Sequence, residues 1–311
     1  MKFLKLGLFL LPLLYVGFLL SPVSFSAEEV RLVVYLDEDQ NSVLSRLKEE
    51  KIIKNQSVLR VLITFMKFPA KVNPGAYKLK RNMWLPQVAY IILYRPYQKW
   101  ITIVPGYRKE QVLEALLKIY KWNDASQKEF MQKSEEGYLF PDTYLLNVDF
   151  TPEAVLAKFS NNFNEKFDAQ LQNDLLAQDV RNDTAVKIAS LIERESGGES
   201  DKALIAGIIW NRLNKGMKLQ IDAATQYILG KPGNWWPKVT PSDHKIDSPY
   251  NTYINKGLPP GPISNPSLAS IKAVIYPAET DCLFYIHDRN KQIHCSLTYE
   301  EHLENIEKFL K

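Results

Sequence analysis

Cysteine, histidine and glycine are scarce in this chain of 311 residues, numbering two, four and thirteen. Two cysteines and four histidines leave no room for a zinc-finger array or a histidine-rich metal cage, and no metal or other cofactor is expected. So few glycines, with no repeat of roughly 20–50 residues, exclude collagen-like and solenoid chains. No long run of one charge sign occurs. Lys and Arg number 39 against 35 acidic residues, a net +4, which gives a nucleic-acid partner little electrostatic support. What is present is apolar material, 46% of the chain with 12% aromatic residues. That is incompatible with disorder and sufficient for one large or two modest domains.

The one long uncharged stretch runs over residues 6–27, preceded by Lys2 and Lys5 and followed by Glu28, Glu29 and Arg31. About 20 apolar residues at ~1.5 Å each span a ~30 Å hydrocarbon core, and the leading lysines favour a cytoplasmic N-terminus. Residues 1–27 therefore read as a single-pass anchor or a cleavable signal peptide, since Ser24, Ser26 and Ala27 offer small residues at cleavage positions. Either reading places the rest of the chain outside the cytoplasm, at the inner membrane or beyond it.

The remainder reads as α+β. Residues 30–37 are β-branched and predict a strand, helical patterns follow near 41–50 and 55–67, and a short strand over 76–79 precedes a helix near 85–94. This β-α-α-β order defines a small accessory module, residues 28–98, with a linker from Pro96 to Trp100. Residues 99–311 form a helix-rich α+β second domain. It opens on a strand at 101–106, carries an irregular aromatic segment at 135–146 and has helices near 152–165, 184–195 and 201–214. After residue 230 the chain is mostly loop, closed by a hairpin over 282–297 and a helix over 298–310.

The chemistry concentrates in residues 184–227. At 100° per residue, Ala185, Ile188, Ala189, Leu191 and Ile192 share a face, and Glu195 projects onto it in the last turn. Glu193 points towards solvent. Burial and the negative end of the helix dipole both oppose ionisation of Glu195, the state needed for general-acid cleavage of a glycosidic bond. The alternative is a Glu195 paired with Arg194, Arg212 or Lys202 and without catalytic work. Asn211, Arg212, Gln220 and Asp222, with Tyr250, Asn251 and Tyr253 on a proline-fixed loop, are candidate sugar-binding groups. Trp235 and Trp236 either stack on sugar rings or pack locally.

The segment E-x-E-S followed by NRL-x-x-GM-x-LQ-x-D (193–222) resembles the endolytic murein transglycosylases, the YceG-like family. EGYLFPDTY (136–144), SPYNTY (248–253), GLPPGPISNP (257–266) and ITIVPGYRKEQV (101–112) extend the resemblance in order, and PGAYKLKRNM (74–83) resembles the family's LysM-like module. The resemblance implies a membrane-anchored lyase that cleaves the MurNAc–GlcNAc β-1,4 bond within glycan strands, leaves 1,6-anhydro-MurNAc ends and terminates nascent strands. Glu195 matches the catalytic Glu, and Glu136 joins the substrate-binding candidates. Peptidoglycan strands are the implied partner, with peptidoglycan synthases beside them. The family's D-P-T reads Asp222-Ala223-Ala224-Thr225, and the acid of its P-E-G is missing at Pro105-Gly106. Two other readings stay open. A hydrolytic muramidase would recruit a second carboxylate from Glu136, Asp142, Glu199 or Asp222. A peptidoglycan-binding scaffold would use no catalytic group.

Cys282 and Cys295 flank the hairpin. A turn centred on Asp288-Arg289 would set them opposite one another, within disulfide reach; a one-residue slip would part them and leave two buried thiols.

Overall fold

The computed structural model describes residues 14–65 and 72–310. The chain divides into two compact units: one runs up to Ile101 and takes in Thr143–Phe150, and the other comprises Thr102–Asp142 and Thr151–Lys311.

In the first unit, strands β1 (Glu29–Val34), β2 (Gly75–Lys80), β3 (Gln98–Thr102) and β4 (Thr143–Asn147) form one sheet in that order. β1 and β2 are antiparallel, with Leu32 opposite Tyr77 and Val34 opposite Gly75. The alternation of β1 buries Leu32 and Val34 against helices α1 (Gln40–Glu49), α2 (Gln56–Phe65) and α3 (Leu85–Tyr94). Asp39 starts α1 by accepting from the backbone N–H groups of Asn41 and Ser42 at 2.8 and 3.2 Å. Gly75 allows β3 to approach: a Cβ there would lie 2.6 Å from the Gln98 carbonyl oxygen. The expected strand–helix–helix–strand order is present. The expected linker is not, because Gln98 starts β3, and Trp100 donates to the Val34 carbonyl at 2.9 Å.

In the second unit, helices α4 (Lys109–Leu116), α5 (Asp124–Lys133), α6 (Pro152–Lys166) and α7 (Ala169–Leu176) precede α8 (Asn182–Glu195). Then come α9 (Lys202–Asn214), α10 (Asp222–Leu229), α11 (Leu268–Ile275), the hairpin of β5 (Phe284–His287) and β6 (Ile293–Ser296), and α12 (Tyr299–Leu310). α8 is the central helix, packed by α9, α10 and α11. Ile188, Leu191 and Ile192 meet Ile205, Ile209, Ile271 and Val274 in one core. Each such side chain contributes about 1.5–3 kcal/mol by leaving water. Helices α5, α7, α10 and α11 stand where the sequence pattern indicated none. α7 and α11 are short segments started by local caps, Asp168 and Ser267.

Among the described residues no helix is long and apolar enough to cross a membrane. Residues 14–20 are helical, and residues 1–13 of the proposed anchor lie outside the described residues.

Cys282 and Cys295 form a disulfide with Cα atoms 5.8 Å apart. The register that suggested it is different: His287 pairs with Ile293, and Cys295 faces Tyr285. Asp288 explains the shift. Its carboxylate accepts from the N–H groups of Asn290 and Gln292 at 2.8 and 2.9 Å, which closes a longer loop. Cys282 then lies just before the ladder and reaches Cys295 from there. With a sequence separation of 13, the bridge stabilises by ~3 kcal/mol in the chain-entropy model. Replacing both cysteines by serine should lower the unfolding midpoint in urea accordingly, and an unchanged midpoint would show the bridge to be energetically idle.

Candidate active site

α8 delivers Glu195 in its last turn, and Ser196 ends the helix by donating to the Ile192 carbonyl at 2.9 Å. The face expected to be apolar is buried: Ala185, Ile188, Ala189, Leu191 and Ile192 are fully inaccessible. Glu195 stands at the edge of that face and lines an open cavity of about 310 Å³ with Arg212, Gln220, Asp222, Tyr253 and Tyr285. Roomier cavities of about 360 and 540 Å³ lie elsewhere in the second unit and contain no part of this carboxyl cluster.

Burial pushes the Glu195 carboxyl above its ordinary range. The Tyr285 hydroxyl, donating to Oε2 at 2.7 Å, and the Ala223 backbone N–H pull it back, while the nearby Asp222 pushes it up and His287 draws it down. The cavity therefore holds a carboxyl that resists ionisation, with donors ready to receive its charge once the proton leaves.

Asp222, Gln220 and Tyr253 share this cavity. Tyr253 donates to Asp222 Oδ1 at 2.6 Å, and His244 Nε2 meets the same oxygen at 3.0 Å while its ring stacks on Tyr253 at 3.7 Å. Gln220 adopts a positive φ of 50° and donates its backbone N–H to the Thr252 carbonyl. Arg212 also reaches the cavity, but its guanidinium is engaged by the protein's own carbonyls, Leu283 at 2.5 Å and Leu219 at 2.6 Å. Those two bonds brace the cavity wall. Asn211 bonds the carbonyls of Thr280 and Cys282, and the fully buried Asn251 bonds those of His244 and Ile246 while accepting from Tyr253 N–H. These two amides shape the loops that carry the site. Tyr250 packs on Tyr227 at 5.0 Å and is not part of the lining.

Glu136 also stands away from the lining. Its carboxylate accepts from Lys109 N–H at 3.0 Å and Asn265 Nδ2 at 3.1 Å, tying together loops distant in sequence. Burial pushes its pKa up to about 7. The native state therefore binds this proton more tightly than the unfolded chain. The contribution is complete below the ordinary carboxylate range and is lost as pH rises towards 7. Stability should fall by ~3 kcal/mol across that window, and Glu136→Gln should flatten the decline. Thermal unfolding of both proteins at pH 5 and pH 8 measures it; parallel curves would refute it.

Glu193 does not face solvent as the helical wheel predicted. Its side chain is 9% exposed and pairs with Lys202 at 3.2 Å. It also accepts from Ser267 N–H at 2.9 Å, Ser267 Oγ at 2.6 Å and Ser270 Oγ at 2.6 Å, at the N-terminus of α11. The packing of α11 on α8 closes over the direction that an isolated wheel leaves open.

Trp235 and Trp236 are tied to α4. Their indole N–H groups donate to Glu114 and Gln111, each at 3.0 Å, and Arg194 lies 3.9 Å over the Trp236 ring. Three residues of the site gave no sequence signal. Tyr285 and His287 share one face of β5, the first reaching Glu195 and the second Asp201, at 2.6 Å. Asp201 in turn accepts from the N–H groups of Gly197 and Gly198. Only the alternation within Phe284–His287 places these two rings on one side.

The sequence profile described as the YceG-like family matches residues 32–308. An endolytic murein transglycosylase of Bacillus subtilis (strain 168) is 29% identical over 330 aligned positions, covering 96% of this chain and 89% of its own. The enzyme of that name from Streptococcus pneumoniae (strain D39) is 35% identical over 178 residues, 55% of this chain and 31% of its own length. A crystal structure of a YceG-like protein from Listeria monocytogenes superposes with a TM-score of 0.60 at 26% identity, covering 90% of this chain and 99% of that one.

Proposed function

Since the chain belongs to the YceG-like family, we propose that the Glu195 cavity cuts peptidoglycan glycan strands at internal bonds by transglycosylation. The observation that carries this reading is the Glu195 carboxyl, raised by burial and held by Tyr285, on the wall of an open cavity. The bond cut is the MurNAc–GlcNAc β-1,4 linkage. Glu195 gives its proton to the bridging oxygen as the C1–O bond breaks. The Glu195 carboxylate then takes the proton of the MurNAc C6 hydroxyl as that oxygen closes onto C1. Atoms balance without water, and the product carries a 1,6-anhydro end.

Asp222 and Tyr253 are the polar groups that meet sugar hydroxyls beside the acid. Residues 28–98 act as a LysM-like accessory that adds contacts to the strand. The uncharged stretch 6–27 tethers the protein to the inner membrane with both units towards the wall, where cutting new strands ends their elongation beside the synthases that extend them. The flanking charges support this orientation. Recovery of a mature chain beginning near Ala27 from the soluble exported fraction would refute the tether.

Hydrolysis is the competing outcome, because Asp222 shares the cavity and could activate a water. Mass spectrometry of the fragments released from purified sacculi separates the two. Anhydro ends are one water lighter than hydrolysed ends. Reducing ends alone would overturn the transglycosylase reading, and no released fragments would overturn the enzyme.

A further inference from the structure

The hairpin β5–β6 meets the end of α8 at two adjacent points. Tyr285 reaches Glu195 Oε2 at 2.7 Å. Two residues further along the same strand, His287 Nε2 meets Asp201 Oδ2 at 2.6 Å, and that carboxylate also takes the Gly197 N–H at 2.8 Å and the Gly198 N–H at 3.3 Å. The chain leaving the acid is therefore clasped by the strand that touches the acid. Gly197 allows the close approach, because a Cβ there would lie 3.3 Å from the His287 ring. Asp201 is 5% exposed. The disulfide at Cys295 ties down the other side of the same hairpin, opposite Tyr285.

From this geometry we infer that Tyr285 is the positioning residue of Glu195. Its hydroxyl occupies Oε2, so that the transferable proton resides on Oε1, and it receives the charge when that proton leaves. The inference deepens the function proposed above and rests on Glu195 being the acid. A tyrosine suits the task better than packing alone requires. Burial and the neighbouring Glu195 raise its own ionisation well above 10, so the hydroxyl remains a donor at every working pH. A donor to the ionised carboxyl lowers the pKa that burial raises, towards the range in which one group serves first as acid and then as base. The other groups around Glu195 are Arg194 on α8, Arg212 on α9, Asp222 and the Ala223 N–H on α10, Tyr253 on its loop and His287 on β5. All of them stay in place when only the Tyr285 hydroxyl is removed.

The test is Tyr285→Phe in the full chain, which keeps the ring and deletes the donor. The δ-carbon of Glu195, identified by its absence in Glu195→Gln, is followed by NMR against pH in the wild type and in the Tyr285→Phe variant. The titration midpoint should rise by about one to two pH units, and kcat should fall ~10–100-fold, the effects of losing a hydrogen bond to a charged group. The alkaline limb of kcat/KM should move up with the midpoint, a displacement that a packing role would not produce. An unchanged midpoint and an unchanged limb would overturn the role of Tyr285 while leaving Glu195 as the acid. Wild-type cleavage by Glu195→Gln would instead overturn the functional reading, whatever the midpoint does. Thermal unfolding of Tyr285→Phe checks the fold; if it is lost, replacing Cys282 and Cys295 by serine supplies the second probe. By loosening the hairpin opposite Tyr285 while keeping the hydroxyl and every charged group around Glu195, that double variant should raise the midpoint by a smaller amount, and no change there overturns the proposal.

Discussion

Glu195→Gln should abolish strand cleavage while leaving the fold intact. The amide is isosteric and still accepts the Tyr285 hydroxyl, but it has no proton to give. Loss of a general acid commonly costs ~10²–10⁴-fold in rate. Stability should not suffer, because burial already disfavours the charged form of Glu195. The wild-type carboxyl stabilises most when protonated, at low pH, and loses that contribution as pH rises through its raised pKa. The substitution should therefore leave the melting temperature unchanged near pH 5 and raise it slightly at pH 8. Cleavage by the wild type should decline over the same upper range as the acid form is depleted. Zymography on purified sacculi with parallel thermal unfolding measures both. An active, stable Glu195→Gln protein would remove this residue from the mechanism.

Glu193→Gln, two residues away, should show the opposite pattern. Burial alone would raise this carboxyl, but the hydrogen bonds of Ser267 and Ser270 and the charge of Lys202 outweigh it and hold the pKa below the ordinary range. An amide would leave the Lys202 ammonium, 8% exposed, without its counter-charge. Breaking one side of a buried pair costs about 3–5 kcal/mol. The sign with pH is reversed as well. The contribution is complete above the ordinary carboxylate range and fades as pH falls through the lowered pKa. Urea unfolding should show a large loss at pH 7 that shrinks at pH 3, with activity per folded molecule retained. A variant as stable as the wild type at pH 7 would show that the hub of Glu193, Lys202, Ser267 and Ser270 contributes nothing.

These two residues mark how far the sequence could be read. The face of α8 was legible because a helix repeats every 3.6 residues and its core residues are unambiguous aliphatics. That period placed Glu195 on the buried side. It misplaced Glu193 because a wheel assumes one packed face, whereas α11 closes a second one with partners more than seventy positions away. Tyr285 was invisible for a related reason. Nothing near Phe284–His287 marks a tyrosine as the neighbour of a carboxyl ninety residues earlier. Strand β3 was read three residues too late, at 101–106 instead of Gln98–Thr102, and β4 was missed, because each is short and borders a proline-containing segment, so the alternation is brief. The hairpin itself was legible, while its register depended on the side-chain cap of Asp288, which alternation does not encode.

The chain passes between its two units three times, after Ile101, after Asp142 and after Phe150. No single cut therefore separates a clean N-terminal piece from a clean C-terminal one. A fragment begun near residue 99 would keep most of β3 and all of β4 but lose β1 and β2, baring an unpaired strand edge of the kind that recruits other chains. Engineering a minimal cutting unit would call for excision at two places: removal of everything before Thr102, and replacement of Thr143–Phe150 by a short linker. Grafting runs the other way. The segment Thr143–Phe150 can be transplanted only together with the sheet that receives it, so exchanging accessory units between relatives requires moving two separate stretches of sequence at once.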